Sequence, residues 1–182
     1  MKTIQKAGIV AFMLSMALGL QAQDNPKVGG APMSTQKNIV ENAVNSPIHT
    51  TLVVPVKAAD LVSTLQGEGP FTVFAPVNEA FEALPEGTVP TLLKPENKKQ
   101  LQAVLTYHVI PGKLDASQLL KAIKKGDGQA TYTTVQGAKL TFTKKGKNLM
   151  VSDQKGNTAQ VTIANVFQSN GVIHVIDTVL LP

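Results

Sequence analysis

The chain contains no cysteine and no tryptophan, and every basic side chain is a lysine because arginine is absent as well. Each absence closes a class of function. Without cysteine there is no disulfide framework, no thiol nucleophile and no zinc–thiolate centre, so burial of a core must hold the fold together. Without arginine the chain lacks the planar fork that grips phosphates and base edges, and aromatics at 4% of the sequence leave little to stack on bases. Nucleic acid is not an expected partner. The three histidines, His49, His108 and His174, are scattered along the chain without metal-binding spacing. No EF-hand loop is present, and "DQKGN" at Asp153 reads as a turn, so no metal and no cofactor are expected. A Gly-x-Ser-x-Gly elbow is missing, and the glutamates gather at helix starts, where solvation is the plain explanation. The chain reads as non-catalytic.

What is present begins with an export signal. Lys2 and Lys6 open a basic stretch, Ala7 to Leu20 is apolar and uncharged, and Ala22 stands at a cleavage point. Residues 1–22 are therefore expected to be a signal peptide, too short and too weakly flanked to anchor in a membrane. No cysteine follows it to carry a lipid. The expected product is secreted, periplasmic or extracellular, with no membrane span. Removing Lys2 and Lys6 lowers the formal charge from +5 to about +3, a modest value for solubility. The lysines are uneven: Lys113, Lys121, Lys124, Lys125, Lys139, Lys144, Lys145, Lys147 and Lys155 face only Asp115, Asp127 and Asp153 in their segment. The second half carries a basic side.

Residues 23–35, rich in glycine and proline and without periodicity, are expected to form a flexible tail. The remaining 36–182 suit one domain with its own core. Ser34 or Thr35 would cap a first helix, and Ser46-Pro47 would start a second that breaks or kinks at Pro55. Ala58, Leu61, Val62 and Leu65 follow one helical face up to Gly67. Phe71 to Ala75 reads as a strand stopped by Pro76, and Asn78 as the cap of the helix "EAFEAL". A helix from about Asn97 to Val109 places Leu101, Val104, Leu105 and His108 on its apolar face. "DASQLLKAIKKG" adds another, with Asp115 or Ser117 as its cap. After Gly128 the pattern alternates, and five strands are separated by turn residues, Asn170-Gly171 being the strongest hairpin signal. Helices first and antiparallel strands later describe an α+β domain.

Three segments, "GPFTVFAPVNEAF", "LTYHVIPGKL" and "SNGVIHVIDTVLLP", occur in an order and spacing that resembles the fasciclin domain family over about residues 36 to 182. The residues that carry the likeness are Phe71, Phe74, Pro76, Asn78, Phe81, Tyr107, His108, Gly171, His174 and Asp177. The resemblance implies helices packed on a wedge of two mostly antiparallel β-sheets. It also implies a secreted or surface protein of cell adhesion, extracellular matrix or biofilm contact, with no shared catalytic set. Two departures stand out: Val77 occupies a position usually small and polar, and Pro55 falls in a helix usually uninterrupted.

Function is sought in particular sites. In animal relatives a Tyr-His segment is implicated in integrin contact, which makes Tyr107 and His108 a candidate binding pair. Their positions fit better a structural role, a buried, hydrogen-bonded histidine beside a tyrosine whose hydroxyl stays near solvent. Lys144, Lys145 and Lys147 put three ammonium groups on one hairpin tip, suited to an acidic polysaccharide or to keeping a sheet edge soluble. Two readings follow: an adhesion or matrix module binding a surface protein or polysaccharide, and a carrier of an apolar ligand such as a carotenoid or lipid. The second needs a groove, expected near Phe74, Phe81 and Leu84. In the closing run, strand alternation sets His174 and Asp177 on opposite faces, so they form no catalytic pair. Both faces are apolar, as in a strand covered on two sides, and both groups are expected to be hydrogen-bonded structural residues.

Overall fold

The structure is a computed structural model that describes residues 25–182. The expected signal peptide and the start of the expected tail lie outside the described residues. In chain order the elements are α1 (Ile39–Asn45), α2 (Thr50–Ala58), α3 (Val62–Gln66), β1 (Phe71–Pro76), α4 (Asn78–Glu82) and α5 (Thr88–Leu92). A 3₁₀ turn (Pro95–Asn97) then leads into α6 (Lys98–Tyr107), β2 (Val109–Pro111) and α7 (Ala116–Lys125). The chain closes with β3 (Gln129–Thr133), β4 (Lys139–Lys145), β5 (Asn148–Ser152), β6 (Thr158–Gln168) and β7 (Gly171–Ile176). The expected α+β architecture holds.

The strands pair in the order β2-β1-β7-β6-β5-β4-β3, and only β1 with β7 is parallel. The long β6 belongs to both halves. Thr158 to Gln160 pair with β5, and Val161 to Gln168 pair with β7 through two register shifts. Such shifts bend a strand and sharpen its twist, which turns one ladder into the two faces of a wedge. Outside the wedge, Val73 and Ala75 of β1 and Ile173 and Val175 of β7 pack against α1, α2 and α6 through Ile39, Val40, Leu52 and Leu105. Inside it, Phe74 and Ile176 meet Leu140, Phe142, Leu149 and Val151, closed by Leu119 and Ile123 of α7. Period-two alternation along β1 and β7 thus feeds two cores at once. The near-continuous apolar run of β7 is the consequence.

Several local expectations change. The helix α2 runs through Pro55 without a break: the missing N–H forfeits one bond, while the ring is buried and borders the same small apolar cavity as Phe81, Leu101 and Leu105. The turn comes later, at Asp60, whose φ is 56°. Asn38, not Ser34 or Thr35, caps α1, in a reciprocal box with Glu41. The segment read as a flexible tail is packed from Asn25 onward. The Asn25 side chain bonds the backbone N–H and carbonyl of Phe167, and Val28 and Met33 are buried in the helical core. Gly29 and Gly30, at φ 58° and 82°, reverse the chain between Val28 and Ala31 so that both apolar side chains can reach it. The strand β2 and the helix α5 have no counterpart in the sequence reading. The final strand stops at Ile176, short of Asp177.

At the β6–β7 hairpin Asn170 fastens three elements. Its amide donates to the carbonyls of Leu65 at 2.8 Å and Gly67 at 2.9 Å, and its Oδ1 accepts from the first N–H of α1, at Ile39, at 3.0 Å. The next residue must be small, since a Cβ on Gly171 would collide with the carbonyl of Phe71 across the parallel pair. Asn170→Ala is expected to cost about 2–4 kcal/mol, because the helix ends it joins lose their partners together. Urea unfolding measures this, and a loss below about 0.5 kcal/mol, the range of an ordinary surface change, contradicts it.

Candidate functional site

The family-like segments meet in the interior. His174 pairs with Phe74 across β1 and β7, and the rings stack with centroids 5.4 Å apart and planes 17° off parallel. Phe74 in turn lies 5.2 Å from Phe142. His174 has no solvent exposure, and its Nε2 lies 2.8 Å from the carbonyl of Leu114. A carbonyl only accepts, so Nε2 carries the proton and Nδ1 accepts, here from the N–H of Asn165 at 3.4 Å. The same logic sets His49, whose Nε2 donates to Ala75 at 3.3 Å while Nδ1 accepts from the Ser46 hydroxyl at 2.8 Å. His108 is the reverse. Its Nδ1 donates to Val104 at 2.8 Å and its Nε2 accepts the N–H of Leu180 at 3.0 Å.

Tyr107 differs from its expectation. It is 0% exposed, its hydroxyl donating to Lys139 at 2.9 Å and accepting from the N–H of Gln154 at 3.3 Å, so it does not reach solvent. Burial pushes the phenol pKa upward. Neither Tyr107 nor His108 offers a side chain to a partner in this arrangement. His108 belongs to a clasp on the chain's last residues. Leu180 donates to its ring, and Leu181 donates to Asp153, whose carboxylate also holds Lys155 and Asn157 in the "DQKGN" turn. Every acceptor direction of Asp153 is thereby occupied, which leaves it a turn residue rather than a ligand. Asp177 lies beyond β7 and is exposed, a correction to its expected place on a buried face. It accepts from the N–H of Gln160 at 2.8 Å.

Asn78 also acts elsewhere than expected. It is the first residue of α4, whose preceding Val77 makes no side-chain cap. The Asn78 side chain turns instead to α2, accepting from the N–H of Thr51 at 2.9 Å and donating to the carbonyl of Pro47 at 3.1 Å. It caps a helix distant in sequence. Phe74 and the pair Phe81 and Leu84 do not share the expected groove. Phe74 borders an apolar cavity of about 50 Å³ under α1, α2 and α3, whereas Phe81 and Leu84 border another of about 20 Å³. Both are far below the several hundred Å³ of usual ligand pockets.

Lys144 and Lys145 end β4 and Lys147 follows Gly146 in the turn, all exposed. The edge strand β3 pairs with β4 only as far as Thr143, so Lys144 and Lys145 lie on a stretch of β4 that β3 leaves uncovered. Among the described residues the only salt bridge joins Lys98 to Asp60. The hairpin lysines are unpaired. The charges on α7, which the sequence showed only as part of a basic half, stand beside Lys144 across a groove. Helical periodicity on "SQLLKAIKK" was the signal that could have grouped them. No group of three histidine, aspartate or glutamate side chains able to hold a metal occurs among the described residues. No described helix is long and apolar enough to cross a membrane.

All three histidines have pKa values lowered by burial, His108 to about 4, opposed in part by its bond to Val104 and by Asp153. The unfolded chain, with histidine near 6.5, binds protons that the native interior refuses. Stability is therefore complete above pH 6.5 and falls as pH drops toward 4. From pH 7 to pH 5 His108 alone is expected to remove about 2 kcal/mol, with His49 and His174 adding in the same direction. Urea unfolding across that range tests it, and a flat profile contradicts it.

Residues 47–182 match the fasciclin domain. The chain is 45% identical to protein sll1483 of Synechocystis sp., over 97% of each sequence. It is 34% identical to the cell surface glycolipoprotein MPB83 of Mycobacterium bovis, across 99% of this chain and 77% of that one. Among solved structures it is similar to the domain pair of the insect cell adhesion molecule fasciclin I. That similarity has a TM-score of 0.72 at 17% identity, over 84% of this chain and 52% of the pair, about half of its length. Low identity limits that likeness to the fold, but the domain match over residues 47–182 and the sequence relatives show the family: the chain is a member of the fasciclin domain family.

Proposed function

We propose that the protein is a secreted, non-catalytic adhesion or extracellular-matrix module, periplasmic or extracellular, that binds a surface protein or polysaccharide through its exterior. One observation carries the reading. Of the side chains that define the family segments, Phe74, Tyr107, His108 and His174 are spent inside the fold, and among the described residues no buried side-chain polar atom lacks a partner. The histidines and Tyr107 are each engaged by backbone or side-chain partners inside the fold, which supports a reading in which they hold the structure and contact with a partner is made by the exterior. The name of the mycobacterial relative, a cell surface glycolipoprotein, supports the same placement.

A carrier that holds a carotenoid or lipid inside the helical core would require the cavity of about 50 Å³ beneath α1, α2 and α3 to open several-fold, separating Val40 and Leu52 from Val73 and Ile173. That rupture exposes core. Adhesion needs no such change.

Binding of the labelled, purified protein to intact cells of the organism that makes it separates these readings. Saturable binding, displaced by unlabelled protein, is expected, together with a colourless preparation whose organic extract holds no stoichiometric lipid. Absence of saturable binding contradicts the adhesion reading, and a stoichiometric pigment or lipid replaces it with the carrier.

A further inference from the structure

The helix α7 and the end of β4 form the walls of a surface groove of about 630 Å³. Ser117, Leu120, Lys121 and Lys124 line it from the helix together with the edge of the buried Ile123, Gly128 lines it from the turn after the helix, and Lys144 lines it from the strand. The helical four share a face because they fall at positions i, i+3, i+4 and i+7. The neighbouring face, with Leu119 and Ile123, is buried in the core. The wall is firmly placed: Asp115 and Gln118 cap α7 reciprocally, and the N–H of Ala116 donates to Asn165 of β6 at 2.8 Å.

We infer that this groove binds a linear polysaccharide bearing carboxylate or sulfate groups, with Lys121, Lys124 and Lys144 as its anion contacts. The inference rests on the adhesion reading and names its ligand. Favourable placement of cations at a helix C-terminus accounts for Lys124 and Lys125. It does not account for Lys121, near the middle of the helix, or for Lys144, which arrives from another element. None of these lysines has a carboxylate partner, since the only salt bridge among the described residues lies at Lys98 and Asp60. Asp127, in the turn between α7 and β3, leaves them unneutralised. Converging like charges raise the local concentration of an anion.

The groove also discriminates among anions. Leu120, 36% exposed, is its one exposed large apolar side chain, too little to hold a bilayer or an acyl chain. Nucleic acid is disfavoured by the absence of arginine and of exposed aromatics here. A lysine ammonium is a compact charge with three donors, suited to separate carboxylates or sulfates along a chain rather than to one bidentate group. Its stem and Leu120 give apolar surface for the C–H faces of sugar rings.

The test uses the purified full-length secreted protein on immobilised polygalacturonate and heparin, at low salt and at physiological salt. A triple variant, Lys121→Gln, Lys124→Gln and Lys144→Gln, is compared with a charge-matched control, Lys37→Gln, Lys94→Gln and Lys99→Gln, after circular dichroism shows that both fold. The expected result is salt-sensitive binding by the native protein, weakened roughly tenfold or more in the groove variant and within about twofold in the control. Equal losses in both variants overturn the groove and leave only net charge. Failure of the native protein to bind either polymer overturns it as well. So does lysine-dependent binding to vesicles rich in phosphatidylglycerol without binding to either polymer, which would assign the surface to a membrane. If polymer binding fails while intact cells are still bound, this inference falls alone; if both fail, the adhesion reading falls with it.

Discussion

A polar group removed from water must find a partner, and in this fold the groups that set the architecture are the ones that answer that demand. A neutral histidine offers one donor and one acceptor. His49, His108 and His174 each place the donor on a carbonyl and the acceptor under a hydroxyl or a backbone N–H. These partners lie where regular ladders stop: at the turn before α2, at the end of α6, and at the bent middle of β6. Asn170, Asn78 and Asp153 do the same work with amide or carboxylate groups. The side chains replace hydrogen bonds that helices and sheets cannot supply at their own ends.

This has a functional consequence. Residues that look chemically active, the histidines and Tyr107, have their hydrogen-bonding groups engaged inside the fold, while the lysines of α7 and the β4 end form no salt bridge among the described residues. Polar groups are paired inside, and the lysines around the α7 groove are left without an ion pair among the described residues. A protein built this way presents its chemistry as surface charge and shape, and its interior serves to hold that surface rigid. The capping of α7 shows the link, since the box that starts the helix also fixes the lysine wall of the groove.

Much of this was legible in the residues. Strand alternation in "VIHVID" and the apolar character of both faces led to a strand covered on two sides, and Val175 and Ile176 do enter different cores. The helical spacing of Leu101, Val104, Leu105 and His108 led to a buried histidine. Less legible were contacts made at a distance. Nothing near Asn78 announces that it caps α2, because the partner arrives through folding, and local propensity assigned it to the nearest helix. Pro55 misled for a similar reason: its local cost is real, but burial of the ring outweighs one lost hydrogen bond. Gly29 and Gly30 suggested mobility, whereas they make the turn that lets Val28 and Met33 reach the core. The basic groove was hidden as well, since Lys121, Lys124 and Lys144 meet only when β4 is laid beside α7.

The central claim is that the buried histidines are neutral connectors with fixed proton positions. Long-range proton–nitrogen NMR of the imidazole rings at neutral pH tests it most directly. The account predicts His108 protonated on Nδ1 and His49 and His174 protonated on Nε2, each as a single tautomer. Averaged tautomers, the opposite assignment, or a positively charged ring at any of the three would contradict it.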